Sequence, residues 1–415
     1  MLRRQVMDRP LVLIASTLSV FGVSVVYSAG QTDNPNLVAH LWRAQAGWLL
    51  LGVIVAYGAS RLSVRLLDWV TVGAYALTVA LLALLLVFGG GAGYAASSKS
   101  WLIIAGHRIG QPSELAKVTV VLMLARVLSS QREAPKSLLE LWRPAVVVGI
   151  PWLLIMKQPD LGTGIVFIGI FFAMLFWSGV PWPLLVLLAS PGVSLVLASS
   201  KSFWGAWFCL LLALLIWYKP YLWEGVLLVL ANVFTGILGP IVWEKLAPYQ
   251  QHRLLVFLDP NIDARGAGYH VIQSLVAIGS GGWLGKGFTE GTQKRLGYLP
   301  AQHTDFIWSV VGEELGFIGV TLGLTLFLAL FLRTVRIAQR ANDTFASLVA
   351  FGLAASWLVH VVENIGMTLN LAPITGIPLP FFSYGGSFML ACWLSVGILV
   401  RISAEGRGRR DTISY

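Results

Sequence analysis

The sequence predicts an all-α polytopic membrane protein of about twelve transmembrane helices. The first reason is composition: 57% of the 415 residues are hydrophobic and only 12% are charged, whereas a soluble domain carries about a quarter charged residues. The second is the run pattern. Uninterrupted apolar stretches lie at about 10–29, 44–60, 67–88, 114–130, 143–157, 161–179, 182–199, 203–218, 221–243, 305–332, 344–369 and 385–402, most of them close to the ~20 residues that cross a hydrocarbon core. The third is the alternation of Lys and Arg between successive connections. The same arithmetic excludes a soluble globular enzyme, a disordered chain and a disulfide scaffold: the two cysteines, Cys209 and Cys392, both sit in apolar runs. The net charge of +10 is read as topology and affinity for membrane lipid, with no nucleic-acid partner.

Taken in order, the first run is too long, and too poorly followed by a small-residue site, to be a cleaved leader, so the N-terminus is expected in the cytoplasm. From there the inner connections gather Arg3, Arg4 and Arg9, then Arg61 and Arg65, Arg126 to Arg143, Lys219, Arg333 to Arg340, and Arg401 to Arg410. The short outer connections hold only Arg43, Lys99, Arg108, Lys157 and Lys201. This places both termini in the cytoplasm and the long 244–304 segment outside. Structureless loops of more than about 12–15 residues are uncommon. The aliphatic and aromatic content here (Leu255, Phe257, Tyr269, Ile272) predicts a segment folded against, or re-entering, the membrane. No repeat or low-complexity tract interrupts the single membrane domain, 1–415, and only the basic tail at 404–415 reads as disordered.

Ionisable residues inside spanning segments are costly, so those that remain are functional candidates. Glu114 and Lys117 share a helix face at i and i+3, and Asp160 sits at the same level. An ion cluster that fixes packing and a reactive site both account for them. Glu313, Glu314 and Glu363 are similar, and adjacent residues diverge by about 100°, so at most one of Glu313 and Glu314 can face a given cavity. No nucleotide loop, zinc spacing or Ser/His/Asp elbow is present. The stretch GSGGWLGKG at 279–287 has the glycines of a phosphate cradle but neither the Lys-Ser/Thr ending nor a preceding strand. Tight turns explain it, and so does a loop offering Lys286 to a diphosphate. In RLLVFLDPNIDARGAGYH, residues 253–270, Asp259 precedes Pro260 and reads as a turn cap. Asp263, between Arg253 and Arg265 at the lipid boundary, is placed to take a proton from a sugar hydroxyl held there by a lipid anchor.

Five stretches carry a family resemblance: GQPSELAK (110–117), QPDLGT (158–163), FLDPNIDARGAGYHVIQSLVAIGSGGWLGKG (257–287), GTQKRLGYLPAQHTDFIWSVVGEELGF (291–317) and NIGMTLNLAPITGIPLPFFSYGGS (364–387). The chain resembles the SEDS (shape, elongation, division and sporulation) peptidoglycan glycosyltransferases, on the RodA side of the RodA/FtsW division. The resemblance implies polymerisation of lipid II in cell elongation and rod-shape maintenance. The acceptor sugar hydroxyl attacks the donor's anomeric carbon and expels undecaprenyl diphosphate. Aligned through Gly-x-Gly-Tyr, the family's required Asp falls on Asp263. Trp101, Arg108, Glu114, Lys117, Asp160, Arg253, Asp259, Lys286 and His303 become substrate-binding candidates. Ser100 stands where the family often has Arg, with Lys99 or Arg108 as substitutes.

The resemblance further implies a divalent cation, Mg²⁺ or Mn²⁺, on the leaving diphosphate, without an organic cofactor, although the sequence shows no metal cage. Implied partners are a class B penicillin-binding protein, a single-span transpeptidase, and other membrane proteins of the elongation complex. The implied location is the bacterial inner membrane with the active site facing outward. Family members usually have ten spanning helices, so 200–243 reads as an inserted pair. A flippase or transporter of a lipid-linked cell-wall precursor is the alternative, with Glu114, Lys117 and Glu363 as its pathway. The outer position of Glu114, Asp160 and Asp263 and the lack of an inverted repeat favour the enzyme.

Overall fold

A computed structural model describes residues 8–33, 37–90, 99–104, 107–131, 133–245, 248–264, 266–299 and 301–413. Each apolar run folds as one helix. They are α1 (Arg9–Ala29), α2 (Leu41–Arg61), α3 (Val64–Phe88), α4 (Pro112–Ser129), α5 (Trp142–Lys157), α6 (Leu161–Trp177), α7 (Trp182–Leu197), α8 (Lys201–Tyr218) and α9 (Leu222–Lys245). The long connection forms α10 (Pro248–Leu258), a 3-10 turn (Pro260–Asp263), α11 (Ala267–Ser280) and a single turn, α12 (Thr292–Arg295). The chain closes with α13 (Ile307–Gln339), α14 (Thr344–Thr368) and α15 (Gly386–Ile413). Among the described residues, nine of these helices are long and apolar enough to cross a membrane, and α6 and α7 are shorter apolar helices. The twelfth, α4, carries Glu114, Lys117 and Arg126. The molecule is a polytopic, all-helical membrane protein.

Long-range contacts define two ends. At the basic end, the fully buried Asp8 caps α1 by accepting from Leu11 N at 3.2 Å. It also accepts from Arg333 Nη2 at 2.7 Å, Arg407 Nη2 at 2.6 Å and Ser403 Oγ at 2.5 Å. One carboxylate thereby ties α1, α13 and α15. At the opposite, loop-bearing end, Gln45 Nε2 of α2 donates to Ser383 O (2.9 Å), Gln302 Nε2 donates to Ala29 O (2.7 Å) and Gln111 N donates to Ser387 Oγ (3.3 Å). Between the ends, α4, α13, α14 and α15 contribute the largest shares of the buried centre. Small residues set the closest crossing, of α2 on α15: a Cβ at Gly52 would press on the Trp393 ring, and one at Gly397 would overlap the Ala56 backbone. Close backbone approach of this kind drives helix association where lipid and side chain are equally apolar.

Two features depart from the sequence reading. A three-stranded antiparallel sheet, β1 (Gly89–Gly90), β2 (Trp101–Ile104) and β3 (His107–Gly110), stands at the loop-bearing end, with Gly90 opposite Trp101 and Ile104 opposite His107. Its β-branched Ile103, Ile104 and Ile109 suit a strand, but four residues are too few to outweigh the helical pattern around them. The tail expected to be disordered from Ala404 continues α15 to Ile413. Packing holds it: Arg401 Nε bonds Glu405 Oε1 at 2.7 Å, Glu405 accepts from Val64 N at 3.2 Å, and Gly406 fits against the backbone of Arg340. The pair read as inserted, α8 and α9, packs mainly on α7 through a small cluster of Leu187, Leu211 and Leu228. A buried Asn232 bonds both Ser190 and Ser194 of α7.

Candidate active site

All the sequence-predicted site residues fall at the loop-bearing end, in three groups. In the first, Lys117 Nζ lies 2.7 Å from Glu114 Oε2 and 2.8 Å from His360 Nε2 of α14. His360 Nδ1 faces the Pro378 carbonyl at 2.9 Å. A carbonyl only accepts, so Nδ1 carries the proton and Nε2 accepts from the ammonium. The three side chains are buried, and Glu114 and Lys117 border a void of about 20 Å³ with Phe388 and Cys392. This cluster locks α4, α14 and the Pro378 loop together. Asp160 caps α6, accepting from Thr163 N (3.0 Å) and Oγ1 (2.9 Å), and Gln111 Nε2 reaches it at 3.3 Å. Trp101 stands on β2. Arg108 is on β3, its side chain outside the described residues, as is Arg265.

The second group explains the glycine run. Gly282, Gly285 and Gly287 have φ of +56°, +78° and +107°, and Gly316, at φ +59°, breaks α13. The loop docks on this break through backbone bonds: Lys286 N to Glu313 O (3.0 Å), Gly287 N to Glu314 O (3.1 Å) and Phe317 N to Gly282 O (2.9 Å). A Cβ at Gly281 or Gly285 would overlap the carbonyls of Gly312 or Glu314. The glycines therefore serve a backbone-to-backbone contact, and the amides of Gly285, Lys286 and Gly287 are engaged within the fold. Glu313 Oε1 accepts from Lys286 Nζ (2.9 Å), Thr292 Oγ1 (3.2 Å) and Gln293 N (2.8 Å). Glu314 turns the other way: its Oε1 is 2.6 Å from Lys294 Nζ, and its Oε2 accepts from Ser28 Oγ at 2.5 Å. Lys294, wholly buried, is an anchor that the sequence reading missed.

The third group is open. Asp259 is exposed and caps the 3-10 turn, accepting from Asn261 N and Nδ2 at 3.0 Å each. Four residues on, the Asp263 side chain is 31% exposed and lies 3.7 Å from His252 Nδ1 on α10. A Cβ at Gly266 would overlap both its carboxylate oxygens, and one at Gly268 would overlap the carbonyls of Pro260 and Asp263. The Gly-x-Gly pair thus lets the acidic turn sit directly on the first turn of α11. Arg253, one residue after His252, faces Asp305 and His270 electrostatically. Burial pushes the Asp305 carboxyl up to about 6, opposed by Thr304 and Arg253. Burial, then Arg253, holds His270 below the ordinary histidine value, and burial does the same to His303.

A brace from the 369–385 segment fixes this group. Asn364 Nδ2 donates to Asp305 O (2.9 Å) and Ile377 O (2.8 Å), Ser383 Oγ donates to Thr304 O (2.7 Å), and Tyr384 N donates to His303 O (2.9 Å). Glu363 accepts from Thr375 Oγ1 at 2.9 Å. His303 also lines a cavity of about 210 Å³ with Thr32, Arg295 and Gln302. Asp305 and His270 were not singled out in the sequence. The available signal was that both lie within motif stretches, beside the buried Phe306, on which His270 stacks at 6.0 Å. Among the described residues, no group of three or more His, Cys, Asp or Glu side chains is able to hold a metal ion.

The FtsW, RodA and SpoVE family model, described as cell cycle protein, matches residues 8–205 and 204–408. The chain is 32% identical to the peptidoglycan glycosyltransferase RodA of Treponema pallidum, over 96% of this chain and 98% of the relative. It is 34% identical to the peptidoglycan glycosyltransferase MrdB of Escherichia coli, over 95% and 93%. Among solved structures, a chain from a study of the coordination of polymerisation and crosslinking by a peptidoglycan synthase complex superposes with a TM-score of 0.71. It shares 29% identity, over 97% of this chain and 98% of that one.

Proposed function

Because the chain belongs to the SEDS family of FtsW, RodA and SpoVE proteins, it is a peptidoglycan glycosyltransferase of the RodA type, and we propose that it polymerises lipid II at the Asp263 turn. The acceptor sugar hydroxyl gives its proton to Asp263 while its oxygen bonds to the donor's anomeric carbon. The bond from that carbon to the diphosphate breaks, and undecaprenyl diphosphate leaves. Sugar hydroxyls are weak nucleophiles at neutral pH, and a positioned base contributes about 10²–10⁴-fold. The observation that carries this reading is a contrast in exposure. Glu114, Glu313 and Glu314 are sealed into ion pairs, whereas Asp263 keeps an accessible carboxylate fixed against Gly266. Arg253, His270 and His303 lie on the same side as groups to orient the diphosphate and sugars.

The donor set does not make a resident metal cage among the described residues. The proposed Mg²⁺ or Mn²⁺ is one that arrives on the substrate diphosphate, since Mg²⁺ is commonly held by one or two carboxylates and substrate phosphates. The loop-bearing end faces outward and both termini lie in the cytoplasm, a reading supported by the arginines gathered at the opposite end. The relative studied within a synthase complex supports docking of a class B penicillin-binding protein that cross-links the emerging strand. The alternative flippase needs a passage lined by charges, and the pairing of Lys117 with Glu114 and His360, beside a void of only about 20 Å³, supports the enzyme. Purified protein incubated with lipid II is expected to give a ladder of glycan strands. Absence of polymer from folded protein, alone and with the transpeptidase, would contradict the assignment. A cysteine at Ser200 is expected to react with an impermeant thiol reagent from outside, and cysteines at Ser63 or Ala341 are not.

A further inference from the structure

The basic end holds a second pocket that the glycosyl-transfer site does not use. Arg333, Arg336, Arg340, Ile337, Ser403, Gly406 and Arg407 line a cavity of about 90 Å³ between α13 and α15. Asp8 is the acid within reach, and it is occupied: Arg333 holds both its oxygens, and Arg407 takes the same Oδ2 as Ser403. Arg336 and Arg340 are exposed and have no acidic partner among the described residues. The pocket thus presents two uncompensated guanidiniums, and like charges held together at a membrane surface call for an anion.

The helix above the pocket indicates which anion. From Phe317 to Leu332, α13 has no charged residue, and from Gly386 to Val400 neither has α15. Both helices turn basic at the same level, at Arg333 and Arg401, which is the headgroup level of a bilayer. Leu324, Leu328 and Leu332 are exposed at 44%, 57% and 50%. Arg336 and Arg340 continue them at the same four-residue interval, along one i±4 ridge of the helix. An apolar ridge that ends in two unpaired arginines matches a molecule with an acyl chain and a phosphodiester, and a free phosphate uses only the second half of it.

We propose that Arg336 and Arg340, with the α13–α15 pocket, form a binding site for the phosphodiester headgroup of an anionic phospholipid, whose acyl chain lies along Leu324, Leu328 and Leu332. Bidentate geometry and weak hydration make arginine suited to this contact. The bland explanation, that these arginines only orient the chain in the membrane, is separable because topology is already fixed in purified protein.

The test compares wild type, Arg336→Gln with Arg340→Gln, and a control Arg61→Gln with Arg65→Gln that removes equal charge elsewhere at the same end. Each is reconstituted in phosphatidylcholine alone or mixed with phosphatidylglycerol. Lipid retention is read by native mass spectrometry, and melting temperature is read alongside it. Wild type and the control are expected to retain phosphatidylglycerol at least about tenfold over phosphatidylcholine and to melt higher in its presence. The Arg336/Arg340 variant is expected to lose that preference. Equal retention of both lipids by wild type, or equal loss of preference in the control, would overturn the site. So would full reproduction of the stabilisation by inorganic phosphate alone, which would make it a free-anion site.

Discussion

Two carboxylate pairs at the loop-bearing end put similar chemistry to opposite uses. Glu313 and Glu314 are buried beneath the glycine loop, and each oxygen partner within hydrogen-bond reach is a lysine, a hydroxyl or a backbone amide. Asp259 and Asp263 sit on a surface turn, the first bonded by Asn261 of its own turn and the second 3.7 Å from a histidine. Both pairs depend on close approach at glycines: Gly285 and Gly316 admit another backbone in one case, and in the other Gly268 admits the backbone of the acidic turn and Gly266 the Asp263 carboxylate. What separates them is solvent. A buried charge persists when an opposite charge pairs with it, and a carboxylate that must accept a proton has to be within reach of the sugar hydroxyl.

The largest expected effect follows from breaking the buried pair. Lys294→Met leaves Glu314 charged without its ammonium and should cost about 3–5 kcal/mol, read as a lower melting temperature in detergent. Adding Glu314→Leu should restore most of that loss. A Lys294→Met protein as stable as wild type would remove the contrast between the two pairs.

Asp305 sharpens the comparison, because it is half-buried yet belongs to the open group. Its folded value of about 6 lies above the ordinary 3.8, so the folded protein binds this proton more tightly than the unfolded chain. That contribution to stability is present below the unfolded value and is lost as pH rises through about 6. Asp305→Asn should therefore gain melting temperature over wild type on going from pH 4 to pH 7, while polymerisation at pH 7 falls roughly tenfold. Loss of stability and activity together would make Asp305 another structural anchor.

A smaller effect is expected from Asp259→Asn, which keeps an acceptor for Asn261. A capping loss is about 1 kcal/mol or less, and polymerisation should stay within a few-fold of wild type. Smallest of all, replacing α8 and α9 by a short linker should leave polymerisation measurable. The α7 hydroxyl of Ser190 that bonds Asn232 also back-bonds its own helix, at Leu187 O (2.6 Å). Complete loss of activity in a monodisperse deletion would place the pair within the catalytic bundle.

The helices were legible because hydrocarbon length and apolar runs are local properties, and each of the twelve runs became one helix. The 89–110 sheet was not, since its strands are of two to four residues and gain their pairing only from the fold. The acidic candidates were visible, but their uses were not. Lys117 finds His360 across 243 positions, and Glu314 finds Ser28 across 286. Spacing along one helix showed that Glu313 and Glu314 must diverge; it carried no information about Lys294. Asp263 stood out because its Gly-x-Gly neighbours are local, whereas the raised value of Asp305 comes from burial by segments far away in sequence.

The central claim, that the open carboxylate does the chemistry, is tested most directly by Asp263→Asn assayed with lipid II beside wild type. The substitution keeps size and hydrogen bonding but removes the charge and the ability to take the proton. The variant is expected to melt like wild type and to bind lipid II, yet to polymerise it at least about a hundredfold more slowly. Near-normal polymerisation by a folded Asp263→Asn protein would contradict the account, and severe loss in Asp259→Asn instead would move the reactive carboxylate four residues upstream.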